Sequence, residues 1–391
     1  MRKAHPFCKP EDVPDHLQQI ELTDMEDAFL GKKMEKFLQY HDPEQSIFFL
    51  KSEIKMLQMR DWYCDGTFLI VKNIKYEQIY IISIFHNDGN YTFTYPVGFS
   101  FMTHRKIPNY NILFKFLSDT YFFETNEILT PASIRTDCEQ AAISSAKEIF
   151  GAIKIRLCTV HIQRNWFKKL IDLVSKTLYR QTELLQTAWR IINGAFYLPV
   201  NYYPKIIEYL RYTTTPLLPE TDDLQTRFLK FVEYLEKNYF SPSAYFHPSM
   251  WSYYTDISDR SEFNISTNPA ESINKQLKLH CTTGTITFHK ACDILKQFKT
   301  HYIQEHESRV RQNSLNRRRS VTVRRENDIE NIISEHDYYV DNSANFTSLL
   351  EPPIDTIISF SYRLGNIGKT SNVEARLLNL PMSENNEPIS D

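Results

Sequence analysis

Between residues 61 and 103 the apolar positions come in short, dense runs rich in β-branched and aromatic side chains. Trp62 to Lys72, Gln78 to Phe85 and Tyr91 to Met102 each read as a strand. His86-Asn87-Asp88-Gly89-Asn90 separates the second from the third, and Asp-Gly at its centre is a hairpin signal. From about Asn109 to Tyr121 the pattern becomes helical, with Ile112, Phe114, Phe116 and Leu117 supplying apolar contacts. Pro131 to Asp137 then predicts a short strand, Glu139 to Phe150 a helix, and Ile153 to Val160 a further strand. Another helix begins near His161. The order β-β-β-α-β-α-β predicts an α/β protein with a mixed sheet flanked by helices.

The flanks read differently. Residues 1–60 are mostly polar, and Asp24 to Gly31 and Ile47 to Leu57 carry helix-spaced apolar residues, which predicts an N-terminal helical leader. Helical patterns at Leu184 to Ile192 and Phe228 to Leu235, between Tyr/Pro-rich loops, predict an all-helical insertion. Further helices are expected at Asn268 to Leu277 and about Thr287 to Ser308. Beyond Glu330 the chain turns polar and irregular. The expected division is a leader at 1–60, the first part of the core at 61–170, a helical insertion at 171–260 and final core helices at 261–310. Residues 311–391 are expected to form a basic linker and a largely disordered tail.

Composition narrows the function classes. A chain of 391 residues with 42% hydrophobic content can build two or three packed domains. A formal charge of −3 excludes a uniformly basic nucleic-acid coat and leaves local basic patches open. Six cysteines without regular spacing suit a reduced intracellular protein. The N-terminus does not read as a signal sequence, and the strongest apolar run, Ile79 to Phe85, is too short for a membrane span, so a soluble protein is expected. The nine glycines form no dinucleotide-binding, P-loop or nucleophile-elbow motif.

Acidic residues carry the candidate chemistry. Asp65 lies on an otherwise apolar strand, where an unpartnered polar group costs roughly 2–7 kcal/mol, so hydrogen bonds or a divalent cation must hold it. Asp137 falls at the end of a strand, where open α/β sheets bind ligands. It equally resembles the first residue of a capping box with Gln140. Glu271, behind Asn268 and Pro269, has the position of a helix-capping acid; Glu262 is the nearest substitute. Cys158 and His161 would need two further ligands for structural zinc, and His280 with Cys281 is a poor second pair; packing at a strand-to-helix corner accounts for them better. Between Arg309 and Arg325 stand seven arginines and no acid. Arg317, Arg318, Arg319, Arg324 and Arg325 are candidates for DNA contact, against a solvated helix end and linker. Trp189 and Trp251 are expected in the core.

Four motifs in order resemble the Mutator-like (MULE) transposases over about residues 60–310. They are Asp65-Gly66-Thr67-Phe68, Thr136-Asp137-Cys138-Glu139-Gln140-Ala141-Ala142, Cys158-Thr159-Val160-His161 and Thr267-Asn268-Pro269-Ala270-Glu271-Ser272. The resemblance implies an RNase H-like fold interrupted by an all-helical insertion domain, and a D-D-E triad of Asp65, Asp137 and Glu271. It implies a DDE-type transposase, a polynucleotidyl transferase that cuts DNA and joins the freed 3′-hydroxyl to a new phosphodiester. Two Mg²⁺ or Mn²⁺ ions would be the cofactors, with Asp65 as the bridging ligand. Transposon ends and target DNA are the implied partners, the nucleus the location, and a homodimer the assembly considered. Relatives usually carry a zinc-binding end-recognition module; residues 1–60 hold only Cys8, so a core without that module is expected. The alternative is a domesticated, catalytically inactive nuclear DNA- or protein-binding factor. A 3′–5′ exonuclease of the same fold would want D-x-E on the first strand, which Asp65-Gly66-Thr67 lacks.

Overall fold

The β-branched and aromatic runs assemble into one mixed sheet. The computed structural model describes residues 35–68, 76–87, 92–254, 268–280, 288–312, 320–346 and 353–367. Its strands are β1 (Leu38–His41), β2 (Gln45–Phe49), β3 (Asp61–Phe68), β4 (Gln78–Asn87), β5 (Thr92–Met102), β6 (Ser133–Thr136) and β7 (Ile155–Leu157). They lie in the order β1-β2-β5-β4-β3-β6-β7. The strands from β1 to β3 in that order pair antiparallel, while β3, β6 and β7 run parallel. Parallel neighbours need a crossover. Helix α1 (Ile107–Thr125) leads from β5 to β6, and α2 (Gln140–Phe150) from β6 to β7.

Strand alternation decides which helix covers which face. Trp62 meets Phe150 of α2 with ring centroids 5.3 Å apart, and Tyr80 meets Tyr110 of α1 at 4.9 Å. On the opposite face Tyr63 and Phe85 cluster with Ala270, on a helix at Asn268–His280. Phe99 and Phe101 pack on Phe298 and Phe288 of a long helix, Phe288–Gln312. This is a mixed seven-stranded sheet with helices, followed by a helical region, as an RNase H-like α/β fold requires.

The register of β4 with β5 shifts between Ile82 and Ser83, so that Ser83 faces Pro96 while Ile82 faces Gly98. A proline inside a sheet is tolerated at such a bulge. The Pro96 carbonyl accepts a bond from buried Lys299 at 2.7 Å, and the same ammonium pairs with Glu53. Tyr95 donates to the other Glu53 oxygen at 2.6 Å.

Two expectations are corrected. Ile47 to Leu57 was expected to be helical; its first part is strand β2, and Lys51–Leu57 forms a 3-10 turn. All five residues of β2 are buried between β1 and β5, and a fully buried strand has no polar face to reveal its period. The expected helix at Asp24 to Gly31 lies outside the described residues. The second correction concerns the tail, where helices span Ser320–Phe346 and Ile354–Ile367. The latter buries Ile357, Ile358 and Leu364, an apolar stripe hidden by the polar average of its surroundings.

Contacts divide the chain into two units: Met1–Cys158 with Ser266–Arg318, and Thr159–Ile265 with Arg319–Asp391. The expected boundary stood at residue 170. The first unit holds the sheet and the helices on its faces. The second is helical, beginning with α3 (Thr159–Val174). Its core is aromatic: Trp166 stacks on Phe196 at 4.9 Å, and Trp251 on Tyr203 at 4.9 Å. Trp189 and Trp251 are fully buried there. Among the described residues no helix is long and apolar enough to cross a membrane.

Candidate active site at the ends of the parallel strands

Register brings two of the predicted acids side by side. Along the parallel pair, Asp61, Trp62 and Tyr63 face Ser133, Ile134 and Arg135. Continued at the same offset, Asp65 falls beside Asp137, where adjacent strands stand about 4.8 Å apart. The next pair repeats the arrangement: Thr136 faces Leu157, and the Cys158 amide donates to the Thr136 carbonyl at 2.8 Å. By that register Asp65, within β3, aligns with Asp137 and Cys158, the residues that follow β6 and β7. Ligands of open α/β sheets bind at the carboxyl ends of strands.

Glu271 approaches Cys158 from another part of the chain. It stands in the first turn of the helix Asn268–His280, whose Ala270 packs on Tyr63, two residues before Asp65 on the same face of β3. A Glu271 carboxylate oxygen and the Cys158 sulfur lie within 4.8 Å of each other. One turn on, buried Asn274 donates from Nδ2 to Asp65 Oδ2 at 2.6 Å. The sequence reading missed Asn274; its spacing of three from Glu271 is the signal that puts both on one helical face.

Asp137 does not cap the following helix in the way its spacing from Gln140 suggests. The residue before α2 is Glu139, whose side chain makes no capping bond. Asp137 Oδ1 instead accepts from the Glu139 amide at 3.1 Å, an Asx turn that fixes its carboxylate at the strand end. Glu139 was also missed, because its place at a helix start reads as ordinary first-turn acid. Burial raises its pKa to about 7, and Asp137 and then Asp65 add to the rise; Tyr110 and Arg105 oppose it. Next to Asp65, burial pushes the Cys64 thiol far up, with Asp65 and Asp137 adding to the effect. Cys64 is thereby held as an inert, protonated core residue.

Cys158 is buried just after β7, and His161 lies half-buried on the first turn of α3. Of the supposed second zinc pair, Cys281 lies outside the described residues, as does Glu262. In the basic segment Arg309 pairs with Glu305 and sits over the Phe93 ring at 4.9 Å. Arg324 is exposed and Arg325 half-buried, while Arg317, Arg318 and Arg319 lie outside the described residues.

Among the acids, Glu271 lies with one oxygen near the Cys158 sulfur, a mixed oxygen and sulfur pair, and Oε1 of Glu139 is shut from solvent without a hydrogen-bond partner. Residues 62–165 match the family model of the MULE transposase domain. That match takes in Asp65, Asp137, Cys158 and His161 and stops short of Glu271. No curated protein and no solved structure matches the chain.

Proposed function

We propose, from a chain that carries a MULE transposase domain, that it acts as a DDE-type transposase with Asp65, Asp137 and Glu271 as its catalytic carboxylates. The observation that carries the reading is the parallel register that sets Asp65 beside Asp137, with Asn274 tying the Glu271 helix to Asp65. DNA is the substrate, and the nucleus is where this chain would meet it. Asp65, Asp137 and Glu271 would hold two Mg²⁺ or Mn²⁺ ions. Such a pair supplies an ionised attacking hydroxyl and offsets charge on the leaving oxygen.

The protein's own groups provide the positioning. Asn274 fixes one Asp65 oxygen. The Glu139 amide performs the same service for Asp137. The first turn of the Asn268–His280 helix, which carries Glu271, bears the partial positive charge of a helix N-terminus, which favours an approaching anion. The exposed Arg324 is a candidate to anchor backbone phosphate away from the chemistry.

The test is Mg²⁺-dependent nicking and joining of plasmid DNA by the full chain. Asp65→Asn, Asp137→Asn and Glu271→Gln should each reduce both steps to background. Activity retained by any of the three removes that residue from the triad. Wild-type protein that binds DNA yet binds no Mn²⁺ would instead be the non-catalytic factor.

A further inference from the structure

We propose that the helical unit presents a face for the phosphate backbone of duplex DNA, formed where α3 lies beside the helix Leu224–Leu235. This deepens the reading just given and rests on it, since it concerns where the DNA is held. Two contacts align the helices. Lys169 of α3 places its ammonium 5.5 Å from the centre of the Tyr234 ring, and Arg227 Nη1 donates to the Leu173 carbonyl at 3.4 Å. Lys169 precedes Leu173 while Tyr234 follows Arg227, so the two helices run antiparallel along this seam.

The seam gathers cations. Arg227, Lys230 and Tyr234 recur at three- and four-residue intervals and share one stripe of their helix, and Lys237 follows in the π turn Glu236–Phe240. On α3, Arg164 and Lys168 stand one turn apart, with Lys169 next in sequence. Lys168, Lys230 and Lys237 are exposed, whereas Arg164, Lys169 and Arg227 are half-buried. Asp172 and Glu233 are the acids on these two helices, and Glu236 of the π turn pairs with Arg211 at 2.5 Å. Like charges one helical turn apart destabilise a helix, so folding by itself does not favour this grouping. Overall basicity does not account for it either, because the chain carries a formal charge of −3. A nucleic-acid backbone offsets the repulsion, and its condensed counterions are released as the cations take their place. Cations repeated by the helical turn suit a regular line of phosphates and read no bases. DNA is the polyanion implied by the MULE transposase domain.

Fluorescence anisotropy of two labelled duplexes of unrelated sequence, bound by the full-length chain in metal-free buffer over a range of KCl, tests the face. Lys168→Gln/Lys230→Gln/Lys237→Gln removes three exposed ammoniums and leaves the contacts of Lys169 and Arg227 in place. Each phosphate contact contributes a slope of about 0.9 in log affinity against log salt. This variant should therefore show a slope shallower by about two to three on both duplexes, and bind about tenfold or more weakly at low salt. Lys51→Gln/Lys55→Gln/Lys147→Gln takes the same charge from exposed positions of the sheet unit, and its slope should stay within about one of wild type. An unchanged slope in the first variant, or equal losses in both, overturns the face and leaves the carboxylate triad to the nicking assay. A loss confined to one of the two sequences overturns backbone recognition. Wild-type chain that binds neither duplex overturns this inference and DNA as the substrate together, whether or not it binds polyglutamate.

Discussion

Asp65 shows how one side chain depends on a partner far away in the chain. Only 6% of it is exposed, and the Asn274 amide reaches one of its oxygens from a helix more than two hundred residues downstream. A hydrogen bond to a charged group contributes about 1.5–3 kcal/mol. Asn274→Ala should therefore lower stability by about 2 kcal/mol in urea denaturation. Asn274→Asp, a near-isostere, should cost more, because it sets a second carboxylate against the first. If the alanine variant is as stable as wild type, Asp65 does not rely on Asn274. Asp65 and Asp137 could be picked out from local sequence, since an acid on an apolar strand and an acid at a strand end are both visible there. Asn274 and Glu139 could not, because an Asn within a helix and a Glu at a helix start are common for unrelated reasons.

At the scale of elements, close approach of helices carries the clearest consequence. Within the helical unit, Glu183–Gly194 packs along Ile354–Ile367. A Cβ on Gly194 would lie 1.7 Å from the Ser361 carbonyl oxygen, and one on Gly365 would lie 1.8 Å from that of Arg190. Backbone stands where either methyl would go. Ser361 bonds the Ile191 carbonyl at 2.6 Å and Arg190 bonds Tyr362 at 3.2 Å, so the crossing is also stitched by polar contacts. Alanine favours a helix over glycine by about 1 kcal/mol, but forcing these backbones apart costs more, about 1–3 kcal/mol or above. Gly194→Ala should thus lower the urea midpoint despite its better propensity, and a rise would show that the helices separate freely. This crossing also explains why the C-terminal helices escaped the sequence reading. Small residues such as Ser361 and Gly365 are weak helix formers by composition, and become an asset only once a second helix lies against them. The same holds for β2, whose five buried positions gave no alternation to read.

Across the whole molecule, buried phenols set the alkaline limit. Tyr80, Tyr95 and Tyr110 in the sheet unit are pushed up chiefly by burial. In the helical unit burial raises Tyr203, and raises Tyr197 to about 12. In an unfolded chain these phenols ionise near 10. Above that pH the native state holds protons the unfolded chain has released, so stability falls as pH climbs. Each such tyrosine contributes a slope of about 1.4 kcal/mol per pH unit. Circular dichroism and phenolate absorbance followed together should show exposed tyrosines ionising first, and these five ionising only as the fold is lost. Smooth titration of every tyrosine near 10 with the fold intact would contradict their placement.

Local sequence determined the order of strands and helices from β3 to α3, the strand that bears Asp65 and the strand end that bears Asp137. It could do so because side-chain periodicity and turn chemistry are written within a dozen residues. Tertiary structure alone decided that β1 and β2 extend the sheet, that Asn274 bonds Asp65, and that Glu271 comes near Cys158. Strand register and helix docking are set by side chains remote in sequence, whose burial fixes which residues become neighbours, and no short window of the chain contains both partners.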